Sequence, residues 1–249
     1  MSLILELSTG EQVPLDDSWV IEDLEMSAPD AVQRAALQHG GKDTAWGYFE
    51  ARRLLLRGAL CVGNIPGYND ARTELLRTFY QRQMKLYDNP LPTRYLQVTR
   101  MVSFRESFIE GTAGVAELEA EFLCENPFWQ SCNVVTDART LSSGDYAAVY
   151  NPGNVECSPV VTFQGLGATP QILFKNTTDG SQLFTYTDLS ATLNSTIVVD
   201  GVEGTVTRSG QNALRFFTGS FLKLLPGVNT LYYEGARTYY SLQARPQYL

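Results

Sequence analysis

Val160-Val161-Thr162-Phe163, Gln171-Ile172-Leu173-Phe174, Gln182-Leu183-Phe184-Thr185-Tyr186 and Thr196-Ile197-Val198-Val199-Asp200 follow one another between residues 160 and 200. Each run is short and rich in β-branched or aromatic residues. Turn signals separate them: Gly165-Leu166-Gly167, Thr178-Asp179-Gly180 and Asp200-Gly201. Two more runs, Leu214-Arg215-Phe216-Phe217 and Thr230-Leu231-Tyr232-Tyr233, lie either side of Pro226-Gly227. Strands at this spacing, punctuated by Gly, Pro, Asn and Asp, are the pattern of an antiparallel sandwich or jelly roll. No helical period of any length occurs from residue 143 onward, and Asn151-Pro152-Gly153 reads as the opening turn. The sequence therefore predicts a β-sandwich domain over 143–249.

Residues 1–142 have a different texture. Leu3 to Leu7 alternates as a strand and turns at Gly10-Glu11. Residues 45–62, which include Ala45-Trp46-Gly47-Tyr48-Phe49-Glu50 and Arg53-Leu54-Leu55-Leu56-Arg57, read as one long strand after Gly40-Gly41-Lys42-Asp43. Ala31 to Gln38 is either its hairpin partner or a helix, and the hairpin is favoured. A helix is predicted over 69–86. Asn69 is its N-cap, Asp70 complements the dipole, and Leu75, Leu76, Phe79 and Leu86 form its apolar stripe. Asn89-Pro90-Leu91-Pro92 ends it. Two strands follow, 94–102 and 116–122. In the second, Leu118 and Phe122 point inward while Glu117, Glu119 and Glu121 point outward. Asn126-Pro127-Phe128-Trp129 closes the domain. The fold class is mainly β, in two domains.

Composition narrows the chemistry. The 249 residues carry a net charge of -8, and 44% of them are hydrophobic, enough for a full core. Residues 1–142 hold 13 Lys/Arg against 20 Asp/Glu, and the remainder holds 6 against 7. Such an acidic first part disfavours external binding to nucleic acid. No apolar run is long enough to span a bilayer. The start, Met1 to Glu6, lacks a basic n-region, so a cytoplasm is the expected place of synthesis and folding. In that setting, the acceptor patterns at Asn176 and Asn194 carry no glycan.

Cys61, Cys124, Cys132 and Cys157 are spaced by 63, 8 and 25 residues, with no Cys-x-x-Cys pair and a single histidine, His39. The expectation is four reduced thiols and no metal site. His39 precedes Gly40-Gly41 in a turn tip and cannot anchor a triad. The carboxylate pairs Asp16-Asp17 and Glu22-Asp23 and the row Glu117, Glu119, Glu121 read as solvated faces, the row alternatively as an acidic channel wall. Arg72, Arg77, Arg82 and Lys85 read as a solvated or intersubunit helix face. Gly201-Val202-Glu203-Gly204 is a turn, because no Gly-Lys-Ser/Thr follows it. Neither a catalytic constellation nor a cofactor is expected. A saccharide-binding sandwich, with Tyr186 or Tyr232 as platform, is the alternative to a purely structural reading.

The order of motifs resembles the distal tail (Dit) proteins of siphovirus-type bacteriophages. The resemblance rests on Asn151-Pro152-Gly153-Asn154, Ser158-Pro159-Val160-Val161-Thr162-Phe163-Gln164-Gly165, Phe174-Lys175-Asn176-Thr177-Thr178-Asp179-Gly180, Ile197-Val198-Val199-Asp200 and Phe221-Leu222-Lys223-Leu224-Leu225-Pro226-Gly227-Val228-Asn229-Thr230-Leu231. In the first part, Arg52-Arg53-Leu54-Leu55-Leu56-Arg57-Gly58 and Phe122-Leu123-Cys124-Glu125-Asn126-Pro127-Phe128-Trp129 hold the family's places. Asn126 stands where the family usually has Asp. Each motif alone is turn chemistry; their order over nearly the whole chain carries the likeness.

The resemblance implies a split-barrel-like first domain with one helix and a long hairpin, then a galectin-like sandwich. It also implies a hexameric, ring-shaped homo-oligomer at the tip of the tail tube, assembled in the host cytoplasm and carried in the virion. The first domains form the ring, and the hairpin near 28–60 forms a belt. The outer domains hold tail-tip or receptor-binding proteins, and DNA passes through the lumen. No catalytic, cofactor-binding or metal residues come with the family.

Overall fold

The computed structural model describes residues 4–15, 20–26, 31–34, 46–49, 51–87, 93–110, 112, 114–166, 171–178, 180, 182–189 and 195–249. The chain is mainly β, with one α-helix, Ile65–Phe79, and one 3-10 turn, Leu214–Phe216, among the described residues. Its contacts divide it into Met1–Gln130 with Leu249, and Ser131–Tyr248. The division falls at 130/131 rather than at 142 because of strand pairing. Val135–Leu141 pairs along its whole length with Thr238–Ala244, and Tyr146–Asn151 pairs with Gly227–Gly235. The thinning of charge near 143 therefore begins inside the second unit.

In the first unit, Ile4–Glu6 forms a hairpin with Gln12–Pro14 and pairs on its other side with Met84–Tyr87, which in turn pairs with Arg94–Val98. A second sheet runs in the order Val20–Met26, Arg52–Cys61, Val115–Cys124, Arg100–Phe108, all antiparallel. Leu54, Leu56 and Leu60 face the core from one central strand, and Leu118, Ala120 and Phe122 from the other; none is more than 2% exposed. This is the period-two burial expected of a sheet with one wet face.

Several first-unit expectations need correction. The segment 45–62 is two strands, because Trp46–Phe49 pairs with Ala31–Arg34 while Arg52–Cys61 joins the second sheet. The pairing at Ala31–Arg34 settles its hairpin-or-helix ambiguity in favour of the hairpin; residues 35–45, with His39, lie outside the described residues. The segment 94–102 also breaks, at Thr99. Its N–H donates to the Leu123 carbonyl and its own carbonyl accepts from Gln83, so the strands on either side enter different sheets.

The helix starts earlier and ends earlier than 69–86. Its N-cap is Asn64, whose Oδ1 accepts from the Gly67 N–H at 2.8 Å. Pro66 sits in the first turn, where a missing N–H costs nothing. Gly114, with φ +75°, lets the neighbouring turn approach, since a Cβ there would lie 2.5 Å from the Asn64 carbonyl oxygen. The helix stops at a cap on Tyr80, and Gln83 adopts a left-handed φ of 59°. Leu86 then lies opposite Leu5 and Leu96 in the first sheet. A strand leucine had continued a helical stripe by coincidence of spacing. Tyr68, Leu75 and Phe79 are the buried apolar face, and Phe79 meets Phe122 edge-on at 5.1 Å. The expected stop at Asn89-Pro90-Leu91-Pro92 lies outside the described residues.

The second unit is a two-sheet sandwich. One sheet runs Val135–Leu141, Thr238–Ala244, Pro159–Leu166, Ser195–Asp200, Thr205–Arg208, Gln211–Asn212. The other runs Tyr146–Asn151, Gly227–Gly235, Gln171–Asn176, Gln182–Thr187, Phe217–Gly219. Phe163 joins the layers: its ring lies 5.4 Å from Phe174, 5.9 Å from Tyr233 and 6.0 Å from Tyr240. These aromatics come from both sheets and are fully buried. The run 214–217 is corrected from strand to 3-10 turn leading into Phe217–Gly219; just before it, Asn212 Oδ1 accepts from the Leu214 N–H at 3.0 Å in a local turn.

Candidate assembly surfaces

The outward face of the second sheet in the first unit is built on the glutamate row. Antiparallel register sets Glu121 opposite Leu55 and Ser103, and Glu119 opposite Arg57 and Arg105. Glu121 accepts from Arg53 Nη1 at 2.5 Å and from Ser103 at 3.2 Å; Glu119 accepts from Arg57 Nε at 3.2 Å and lies 3.6 Å from Arg105. The Arg53 guanidinium holds the Glu121 carboxyl below its usual range. Two of the three glutamates are thus neutralised within the sheet, so the face is a mixed ladder rather than an acid wall. Its open ion pairs contribute little to stability. A shallow depression of about 420 Å³ lies among Arg57, Arg105, Glu117 and Glu119.

The basic stripe expected on the helix does not form. Arg72 is engaged by Glu106, with Nε to Oε2 at 2.5 Å and Nη2 to Oε1 at 3.0 Å, and Tyr68 donates to the same carboxylate at 3.2 Å. Arg77 pairs with Glu74 within the helix, at 3.6 Å. Lys85 belongs to a strand and binds Glu6 at 2.6 Å. That bond from Lys85 lowers the Glu6 pKa, as the bond from Arg72 lowers that of Glu106.

Arg100–Phe108 is an edge of the second sheet. Val102, at the bulge where the register shifts, Phe108 and Ile109 are 45%, 58% and 39% exposed. Arg52 is the reverse case. It is 5% exposed, its Nε has no acceptor, and it has no acidic partner among the described residues. Burial lowers its pKa, against the opposing influence of neighbouring Cys124.

On the sandwich, the two saccharide platforms part company. Tyr186 is fully buried and donates to Asp188 at 3.1 Å; that carboxylate is itself 0% exposed and accepts from Arg208 at 2.6 Å. Tyr186 is therefore a core residue. Tyr232 lies on the outer face with its ring 5.1 Å from Tyr146. Tyr150 and Val228, opposite each other in register, complete an exposed apolar patch. A separate open depression of about 440 Å³ lies among Thr140, Gln164, Arg237 and Tyr239.

Among the described residues, no group of three or more His, Cys, Asp or Glu could hold a metal, and no helix is long and apolar enough to cross a membrane. The four cysteines are free thiols; burial pushes Cys124 up to about 12 and Cys157 up to about 11. Asp16-Asp17 and His39 lie outside the described residues.

The strand pairs described above are antiparallel, and the distinctive surfaces of each unit are sheet edges and faces. No family model matches the sequence, and no curated protein matches it significantly. Among solved structures, the chain shares its fold with the Dit protein (gp 19.1) of phage SPP1, described as a paradigm of the hub adsorption apparatus in phages infecting Gram-positive bacteria. The alignment covers 99% of both chains with a TM-score of 0.69 and 13% identity. Two structures of the phage P2 baseplate in its activated conformation, with Ca and with Sr, align over 98% of this chain and 97% of theirs at 6% identity. Their TM-scores, 0.45 and 0.49, are too low to carry a shared fold.

Proposed function

We propose that this chain is a structural component of a phage tail tip: a distal tail protein that closes, as a homo-hexamer, into a ring at the end of the tail tube. The ring serves as a hub that joins the tube to tail-tip and receptor-binding proteins and lets DNA pass through its lumen. The observation that carries the reading is a full-length likeness in fold to a hub protein, together with an independent order of turn motifs along the sequence. The first unit supplies the ring. Its second sheet offers the long Arg100–Phe108 edge and a face on which Arg53 and Arg57 pair in cis with Glu121 and Glu119. The sandwich units are docking surfaces on the outside.

The test is mass in solution followed by negative-stain imaging. The reading expects a species of six times 27.7 kDa that appears as rings. An obligate ring buries more than about 2,000 Å² per contact. A purified chain that stays monomeric at tens of micromolar overturns it.

A further inference from the structure

A sandwich of two open sheets has four edges, and each is a row of unpaired backbone donors and acceptors unless something blunts it. Three of the four edges here are blunted. Gln211–Asn212 and Phe217–Gly219 are two and three residues long. Val135–Leu141 is longer but carries the ion-paired Asp137 and Arg139 on the side of the strand that also bears buried Leu141. Inward-facing charge of this kind is a known block to edge pairing.

The fourth edge, Tyr146–Asn151, is six residues long, contains neither charge nor proline, and keeps a regular register with Gly227–Gly235 from end to end. Among the described residues, no strand pairs with its outer side. Its outward side chains are Tyr146, Ala148 and Tyr150, and both tyrosines are 60% exposed. Beside them, Val228 is 62% exposed. A regular, uncharged edge flanked by exposed apolar side chains is a pairing surface.

We propose that this edge pairs antiparallel with the same strand of a second copy, across a two-fold axis at Ala148, joining two sandwich sheets into one. The sequence Tyr146-Ala147-Ala148-Val149-Tyr150 is self-complementary for this contact. With Ala148 opposite its counterpart, Tyr146 of each copy faces Tyr150 of the other on the outer face, and Ala147 faces Val149 on the inner. Outer side chains meet outer ones because the side-chain period is two. Aromatic pairs directly across a ladder are among the favourable ones, and no like charges meet. The alanines leave room on the axis for four tyrosine rings to close over it. A single edge contact buries less than the roughly 1,200 Å² of a stable complex, so between free chains it is weak and concentration-dependent. Its strength grows where several copies are presented together. The inference does not rest on the ring reading, since it concerns the sandwich alone.

The test uses the full chain with Cys61 and Cys132 changed to serine. Ala148→Cys places two thiols directly across the axis, at the cross-strand Cβ separation of about 4.5–5.5 Å that a small adjustment closes to a disulfide. Mild oxidation is expected to give a covalent dimer of twice 27.7 kDa. Thr140→Cys, exposed on the blunted edge, is expected to give none. Independently, Ala148→Lys brings two ammonium groups together on the axis and is expected to weaken self-association measured by sedimentation at least tenfold, with circular dichroism unchanged. Wild-type amides at 146–151 are expected to gain exchange protection as concentration rises.

No cross-linking by Ala148→Cys above the Thr140→Cys control, or unchanged association in Ala148→Lys, overturns the proposal. So does an edge whose amides exchange freely at every concentration, which leaves it to a strand of another protein. Loss of rings in the wild type counts against the ring alone. Rings that persist in Ala148→Lys while paired rings disappear support both.

Discussion

Asn229, last residue of Leu225-Pro226-Gly227-Val228-Asn229, is 0% exposed and uses its whole amide. Oδ1 accepts from the Leu225 N–H and from Asn176 Nδ2, both at 2.9 Å, while Nδ2 donates to the Leu225 carbonyl at 2.8 Å and the Gly227 carbonyl at 3.1 Å. The side chain thus closes the turn that launches the central strand Gly227–Gly235. Asn229→Ala removes four hydrogen bonds at about 1 kcal/mol net each and strands buried backbone groups, so a loss of about 4 kcal/mol is expected. For a unit of this size that lowers Tm by roughly 10–20 °C.

Asn229→Asp separates shape from hydrogen bonding. It keeps the acceptor but turns an oxygen towards two carbonyls. Burial favours its protonated form, which can donate again, so its folded pKa lies above the unfolded one and stability is expected to rise as pH falls. Trp19, Trp46 and Trp129 all precede Ser131, so tryptophan fluorescence reports on the first unit. The sandwich is followed instead by hydrogen exchange at Val161–Phe163. An Asn229→Ala loss below about 1 kcal/mol, or an Asp variant that matches Ala at every pH, refutes the reasoning.

Three further outcomes follow from the first unit and the thiols. Arg52→Met replaces a buried guanidinium that lacks an acidic partner among the described residues, and is expected to stabilise the first unit by about 1–3 kcal/mol in urea unfolding; destabilisation would reveal a partner. Hydrogen bonds from Lys85, Arg72 and Arg53 hold the Glu6, Glu106 and Glu121 carboxyls below their ordinary pKa in the folded state. Their contribution is present above the unfolded value and is lost as pH falls below about 4.5 through the folded values, so the first unit weakens with acid, and Glu106→Gln is expected to flatten that slope in pH-dependent melting. Cys61 is exposed whereas Cys124 and Cys157 are buried with raised pKa values, so iodoacetamide on the native protein is expected to modify Cys61 and spare those two, as read by peptide mass.

Much of this architecture is written locally. Alternation at 116–122 and through 160–233 follows from a sheet with one buried face, and in the first of these it marks Leu118 and Phe122 as inward, where both are buried. Turn residues marked strand ends for the same reason: Asp200 Oδ1 accepts from the N–H groups of Val202 and Glu203 within a few residues. Asn229, by contrast, was legible only as part of a motif, because its partner Asn176 is 53 residues away.

What the sequence determined by itself is the class: a mainly β chain, strands punctuated by local turns, and a motif order resembling distal tail proteins. Tertiary structure alone decided which strands pair. Leu86 continues a helical stripe yet lies between Leu5 and Leu96, and Val135–Leu141 precedes the change in composition yet belongs to the sandwich. It also decided that Tyr186 is core while Tyr232 is surface, and that Arg53 and Arg57 answer the glutamate row. The physical reason is that side-chain period is a property of a few consecutive residues, whereas register, edges and ion pairs depend on segments brought together from 50 or more residues apart, as Arg53 and Glu121 are, 68 residues apart.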